Sequence, residues 1–466
     1  MKKIVTFGEV LLRLTAPGNL RFSQVRDYVA AFGGSETNVA VSLANFGIPT
    51  EFVTRLPDNE IARACVSDLR SHGLRTDGII YGGDRMGIYF LENGASFRNS
   101  KVVYDRAGSS FSTLRPGMID WETVFADAGW FHWSGVAAAL SQSGADTCLE
   151  ALQTADRMGL TISCDLNFRK NLWQYGRTAA DVMYPLVQYS DVIFGAEPEY
   201  KEILGISPVG FKAINTDYQL DLQGFEKVGR QVETLVPRCK KMFLELRNSL
   251  SANHNLLAAV LYSDNTLKHT GIYDITHEVD RVGTGDAFVG GLIYGLLTYP
   301  DDDQKALDFA GDIVVIHLGI NDTDPRNWPN YRDFFVKDYL NLIDTFRKAN
   351  PGARIIIARM TPIADRHPRF QSGTRDWHGE IQTAIEAVAR YAGVQLIDFY
   401  EPLYPYPFLL PDAVHPTAEG AAIMAKTVYS AITGDYGGLK LSPLFTDNMV
   451  LQRDTPLLIQ GTANAG

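Results

Sequence analysis

The chain has 466 residues, more than one typical domain holds, and about two or three domains are expected at that length. With 45% hydrophobic and 21% charged residues it reads as a soluble globular protein, and a formal net charge of −11 argues against nucleic acid as a partner. Cys65, Cys148, Cys164 and Cys239 are scattered, with no pair spaced for a metal or a redox couple, which points to reduced, buried thiols and a cytoplasmic location. Two lysines open the chain, but Glu9 and Arg13 interrupt the apolar run behind them, so it reads as a first strand rather than a secretion signal. No apolar run reaches the roughly eighteen residues of a membrane span, and none is expected.

In chain order, Ile4–Gly8 reads as a strand and Glu36–Phe46 as a helix with Val39, Val41, Leu43 and Ala44 on its apolar side. Residues 84–107 alternate apolar and polar side chains, which predicts a hairpin with one wet face, placed to cover a site as a lid. Ala151–Arg157 is helical and Thr161–Asp165 a short buried strand; Val192–Phe194 and Met242–Leu244 are further strands. Such alternation predicts an α/β domain with a mostly parallel sheet flanked by helices. The pattern changes near residue 310. Ala306–Ala310 starts a helix, then Ile313–Leu318 reads as a fully buried apolar strand. A helix at Tyr331–Lys348, a strand at Arg354–Arg359, a helix at His378–Tyr391 and a strand at Val394–Asp398 follow. From Gly438 onward the runs are short and β-like, at Met449–Gln452 and Leu457–Gly461.

Val279-Asp280-Arg281-Val282-Gly283-Thr284-Gly285-Asp286-Ala287-Phe288 carries the most chemistry. Its glycines allow backbone N–H groups to approach an anion, a helical run from Phe288 to Leu297 follows, and helix N-termini favour negative charge. Asp286 beside such a cradle is placed to take a proton from an attacking hydroxyl. Ala31-Phe32-Gly33-Gly34-Ser35-Glu36-Thr37-Asn38 pairs glycines that permit close approach with an asparagine that can both donate and accept. These two segments resemble the signatures of the ribokinase-like (PfkB-type) sugar kinases. The resemblance implies that Asp286 is the base, that Gly283, Thr284 and Gly285 form the anion hole, and that Gly34 and Asn38 hold the sugar.

Asp165-Leu166-Asn167-Phe168-Arg169 follows a predicted strand, where an arginine is well placed for a ligand and can fork onto a carboxylate. This run is similar to the one in 2-keto-3-deoxygluconate kinases and, more loosely, fructokinases. Tyr89, Tyr104 and Arg106 match their lid positions. Two separate arginines favour an acidic sugar. The implied reaction is ATP- and Mg²⁺-dependent phosphorylation of 2-keto-3-deoxygluconate to its 6-phosphate, with a fructokinase or another sugar kinase of this type as the alternative. A homo-oligomer built through the lid is a further expectation. Glu199 fits the family's Asn-x-x-Glu element, but Ala196 stands where its asparagine belongs. Arg247 lies either on the nucleotide pocket or in a solvated loop. The resemblance covers residues 1–310 and then stops, short of the helices that close the adenine side in the family, so weakened ATP binding is expected.

Leu318-Gly319-Ile320-Asn321-Asp322 and Asp412-Ala413-Val414-His415-Pro416 resemble two blocks of the SGNH (GDSL-type) hydrolases. There the asparagine donates to the oxyanion, the histidine is the base and the aspartate orients it. The family's Gly-Asp-Ser nucleophile block occurs nowhere in the chain, so a carbohydrate O-acetylesterase activity is expected to be dead. Ser442–Arg453 resembles the opening of a sialate O-acetylesterase-like module. The expected organisation is a kinase domain at 1–310, a partial SGNH-type unit at 311–437 and the start of a β-rich module at 438–466. A recombined or misassembled reading frame is the simpler expectation for that order of parts than a working bifunctional enzyme.

Overall fold

The computed structural model describes residues 2–94, 98–206, 220–250, 254–275, 282–308, 313–324, 326–349, 353–363, 374–434, 440–441 and 461–462. The chain divides into two compact units, Met1–Ala310 and Gly311–Gly466.

The first unit is built on a ten-stranded sheet. From one edge its strands run Ile79–Tyr81, Thr50–Leu56, Lys3–Phe7, Ala128–Ser134, Thr161–Asp165, Val192–Ala196 and Lys241–Ser249, all parallel neighbours. Asn255–Ser263 then adds antiparallel and carries Thr266–His269 and Tyr273–Ile275. Successive side chains of a strand face opposite ways, so a sheet covered on both sides needs near-continuous apolar strands. Ile4 enters one core and its neighbour Val5 the other; Phe243 is likewise separated from Met242 and Leu244. Helices Gln142–Arg157, Ala179–Val187, Glu197–Leu204 and Leu222–Leu235 cover the Val5 side. Ser35–Asn45, Thr284–Thr298 and Asp303–Asp308 cover the Ile4 side. All four cysteines are buried and free.

The predicted hairpin belongs to a separate four-stranded sheet, ordered Val29–Gly33, Leu11–Thr15, Ile88–Glu92, Lys101–Asp105. Ile88–Glu92 pairs parallel with Leu11–Thr15 and antiparallel with Lys101–Asp105. Its wetness is divided by strand as well as by face: Tyr89, Leu91 and Glu92 are buried, whereas every residue of Lys101–Asp105 is exposed.

In the second unit Ile313–Ile316, Arg354–Arg359 and Gln395–Asp398 form a parallel three-stranded sheet. Helices Trp328–Ala349, Thr374–Ala392 and Ala418–Thr433 accompany it. The expectation of a fully buried strand at Ile313–Leu318 fails: the strand ends at Ile316, Val315 is 37% exposed and Leu318 46%. It is an edge strand, so only one neighbour covers it. The central strand, with Ile355, Ile356, Ile357 and Ala358, carries the burial instead. Lys440–Leu441 pairs antiparallel with Gly461–Thr462. The expected runs at Met449–Gln452 and Leu457–Gly461, Gly461 aside, and the Ser442–Arg453 segment lie outside the described residues, as do Val279–Arg281. Among the described residues no helix is long and apolar enough to cross a membrane.

Candidate active site

The two Gly-rich segments meet because their helices pack together. Ser35–Asn45 and Thr284–Thr298 share a core through Val39, Leu43, Val289, Leu292 and Ile293. A Cβ at Gly290 would lie 2.8 Å from the Ser42 Cβ, so the glycine lets the two helices close. Their N-termini therefore face one point. The helix of Asp286 begins earlier than its apolar run indicated, at Thr284, which puts Asp286 in the first turn. Gly283 caps it at φ +90°, a left-handed conformation that other residues resist.

Asp286 is half-buried and held by both ends of its carboxylate. Ser35 Oγ donates to Oδ1 at 3.0 Å and Asn38 Nδ2 to Oδ2 at 2.7 Å. Asn167 Nδ2 in turn donates to Ser35 Oγ at 2.8 Å and to Asp165 Oδ2 at 3.0 Å. Burial pushes the Asp286 carboxyl above the usual aspartate range, and the bonds from Asn38 and Ser35 pull against that shift. Asp165 is raised further by burial and by the Glu199 charge, and Glu199 is raised by burial. Glu36, at the start of the first helix, is fully enclosed and pushed up to about 7 by burial, against a bond from Ser134 Oγ at 2.5 Å.

Asp286, Ser35, Asn38, Asn167, Asp165 and Glu199 line a cavity of about 750 Å³, and Glu36 and Ser134 lie behind that lining. Gly34, Asn38, Tyr89, Tyr104, Arg106, Arg169, Glu199, Arg247, Gly283, Thr284, Gly285 and Asp286 all stand on its wall, so the structure brings every expected residue of the first unit to one place. Close backbone approach at Gly34 is real: a Cβ there would lie 2.2 Å from the Glu9 carbonyl oxygen.

Several residues differ from their expected circumstances. Arg106 is not an uncommitted cation, because its Nε and Nη2 both lie 2.7 Å from Glu9 Oε2 in a buried ion pair. One of the two arginines taken to favour an acid is thus already balanced. Arg169 is half exposed, 4.0 Å from Glu199. Glu199 accepts the Ala196 backbone N–H at 2.8 Å, capping the helix Glu197–Leu204, while still facing the cavity. Arg247 lies within the strand Lys241–Ser249, not in a solvated loop, and pairs with Glu245 at 3.3 Å. Sequence reasoning missed Glu9, Ser35, Asp165, Asn167 and Glu245 on this wall. Ser35 sits inside the first Gly-rich segment, and Asp165 and Asn167 inside the Asp165–Arg169 run, so all three were within reach. Glu9 showed only as a break in an apolar run.

In the second unit Asn321 lies on a 3-10 turn, Ile320–Thr323, after Gly319 at φ +117°. His415 Nδ1 is 2.6 Å from Asp412 Oδ2, and the side chain is 80% exposed. Asp412 also accepts the backbone N–H groups of His415 and Val414, and these bonds hold its carboxyl down at about 2. The only serine of this unit among the described residues is Ser430, buried in the helix Ala418–Thr433.

The family model of pfkB family carbohydrate kinases matches residues 1–228, and that of the GDSL-like lipase/acylhydrolase family matches residues 276–423. The second match begins ahead of Asp286, yet the Asp286 helix packs into the core of the first unit, and packing decides where that helix belongs. A 2-dehydro-3-deoxygalactonokinase of Haloferax volcanii is 32% identical over 300 residues, 63% of this chain and 84% of that protein. The crystal structure of 2-dehydro-3-deoxygluconokinase from Thermotoga maritima is 40% identical with a TM-score of 0.62, covering 67% of this chain and 92% of that one. Fructokinase-1 of Oryza sativa is 24% identical over 311 residues, 66% of this chain and 87% of that protein. A carboxylate-bearing cavity between two Gly-rich helix starts and a relative matched over most of its length agree: the chain belongs to the pfkB family of carbohydrate kinases.

Proposed function

We propose that residues 1–310 form a domain that phosphorylates a small acidic keto-sugar, 2-keto-3-deoxygluconate, at its terminal hydroxyl. The observation that carries this reading is Asp286, in the first turn of a helix beside Gly283 and Gly285, with both carboxylate oxygens held by donors from the Gly34–Asn38 segment. Asp286 takes the proton of the attacking hydroxyl, and burial raises its basicity toward the working pH. Gly283, Thr284 and Gly285 present the helix start to the developing phosphate charge. Gly34, Asn38, Tyr89, Tyr104, Arg106 and Arg169 hold the sugar, with Arg169 facing its carboxylate.

Bound ATP supplies the phosphoryl group, and Mg²⁺ offsets its charge. The wall fits such a pair. Asp165, Glu197, Glu199, Glu245 and Asp286 outnumber Arg169 and Arg247 around it, so a polyanion needs a cation there. Mg²⁺ is ordinarily held through phosphates and one or two carboxylates, and the carboxylates of this wall could serve. Glu199 and Arg247 would face the nucleotide.

A coupled assay on 2-keto-3-deoxygluconate, fructose and ribose tests the reading. Turnover strongest on the acid supports it, preference for fructose moves the activity to fructokinase, and no turnover on any sugar rejects it. Residues 311–437 we read as a partial hydrolase domain without a nucleophile, and 438–466 as the start of a further module. The ending at 310 leaves the nucleotide side under-built, so calorimetry should find ATP bound more weakly than by a chain whose residues after 310 are replaced with a complete family ending. Equal, tight binding by both would show the ending to be harmless.

A further inference from the structure

Glu9 has no role in either signature, yet it occupies a built position on the cavity wall. Its side chain is 2% exposed and that of Arg106 6%. One oxygen, Oε2, receives both Arg106 donors at 2.7 Å. The other, Oε1, is buried with no hydrogen-bond partner. A glycine makes room for it: a Cβ at Gly87 would lie 2.6 Å from Oε1 and 2.5 Å from Leu11 Cδ2. Arg106 follows the lid strand Lys101–Asp105, and its Cζ stands 5.6 Å from the Tyr104 ring centroid.

This arrangement is poor as a stabilising device. A buried ion pair gains little over apolar packing once desolvation is counted, and a carboxylate oxygen left unsatisfied adds to the cost. What the pair does achieve is electrical. It cancels one of the cavity's arginine charges while leaving Arg106 on the wall with more N–H groups than the pair with Glu9 uses.

We propose that Glu9 is a positioning residue that sets sugar selectivity: by pairing with Arg106 it turns a cation into a fixed, charge-neutral donor for hydroxyl or keto oxygens. Recognition of a sugar carboxylate then falls to Arg169 alone. The inference rests on the kinase reading above and refines its substrate class. It predicts that the protein accepts neutral sugars better than a wall with two unbalanced arginines would.

The test is the ratio of kcat/KM on 2-keto-3-deoxygluconate to kcat/KM on fructose, at saturating ATP, for the full-length protein and its variants. Glu9→Gln keeps an acceptor for Arg106 but removes the charge, so Arg106 becomes a net cation. The acid-to-neutral ratio should rise by about fivefold or more, carried by KM, because charge acts strongly in a partly desolvated site. Arg106→Gln should lower both sugars together. Gly87→Ala displaces the carboxylate without removing it and should move the ratio the same way by less, which keeps the idea testable should Glu9→Gln fail to fold. A merely structural Glu9 would weaken both sugars alike. An unmoved or falling ratio in folded Glu9→Gln, or in Gly87→Ala where that variant alone folds, overturns the proposal while leaving the kinase reading intact. Wild-type protein inactive on every sugar overturns the kinase reading and takes this one with it.

Discussion

Asp286 and His415 each sit in a short motif with a hydrogen-bonded partner, and the two pairs are made in opposite ways. Asp286 is gripped by Ser35 and Asn38, 251 and 248 residues away, inside a cavity that a ten-stranded sheet and its helices create. His415 is gripped by Asp412, three residues away in a turn, with the imidazole 80% in solvent. A local pair of the second kind forms whenever the turn forms. Its geometry alone therefore says little about chemistry, even at 2.6 Å. The first kind exists only if the whole domain folds, and its raised carboxyl is a consequence of that enclosure. Distance in sequence, more than distance in space, separates the two pairs.

The sharpest break of this comparison is Asp286→Asn. Turnover should fall by about 10²–10⁴-fold with the sugar KM retained, since a positioned base contributes that much. Steady-state kinetics decide it, and near wild-type kcat would strip Asp286 of the role proposed for it. Next is Gly34→Ala, whose Cβ would meet the Glu9 carbonyl oxygen at 2.2 Å. Overpacking of this sort costs about 1–3 kcal/mol, so thermal unfolding should move down and the sugar KM up.

Ser35→Ala should be milder, lowering kcat by about three- to tenfold through loss of one charge-assisted bond. That variant also carries a pH signature. The Ser35 bond favours the ionised carboxyl, so losing it raises a pKa that burial has already raised. In its proposed role as base, Asp286 works deprotonated. Activity is therefore lost as pH falls through that pKa, and the acid limb of kcat should move to higher pH in the variant.

The smallest effects belong to the second unit. His415→Ala and Asp412→Asn should leave phosphoryl transfer unchanged, shift stability by no more than about 0.5 kcal/mol, and make no difference to hydrolysis of an aryl acetate. The Asp412 carboxyl is held down at about 2, below its unfolded value. The stability it lends is present above the ordinary aspartate pKa and disappears as pH falls through about 2. An ester turnover that vanished with His415 would erase the contrast between the two units.

Some strands were legible from short buried stretches that end in a charged residue: Thr161–Asp165 and Arg354–Arg359 have the boundaries the pattern gave them. The Gly-rich segments were legible because φ values such as that of Gly283, and approaches as close as that at Gly34, leave little choice of residue. Exposure of Val315 was not legible, since an edge strand and a central strand can share one composition and differ only in their neighbours. Nor was the state of Arg106. Its sequence position announced a cation, and only the fold placed Glu9, 97 residues away, against it. Sequence by itself determines which side chains are available and which backbone conformations are affordable. Pairings between charges from distant segments are settled when the domain closes and water leaves, because only then does their attraction act in a medium that does not screen it.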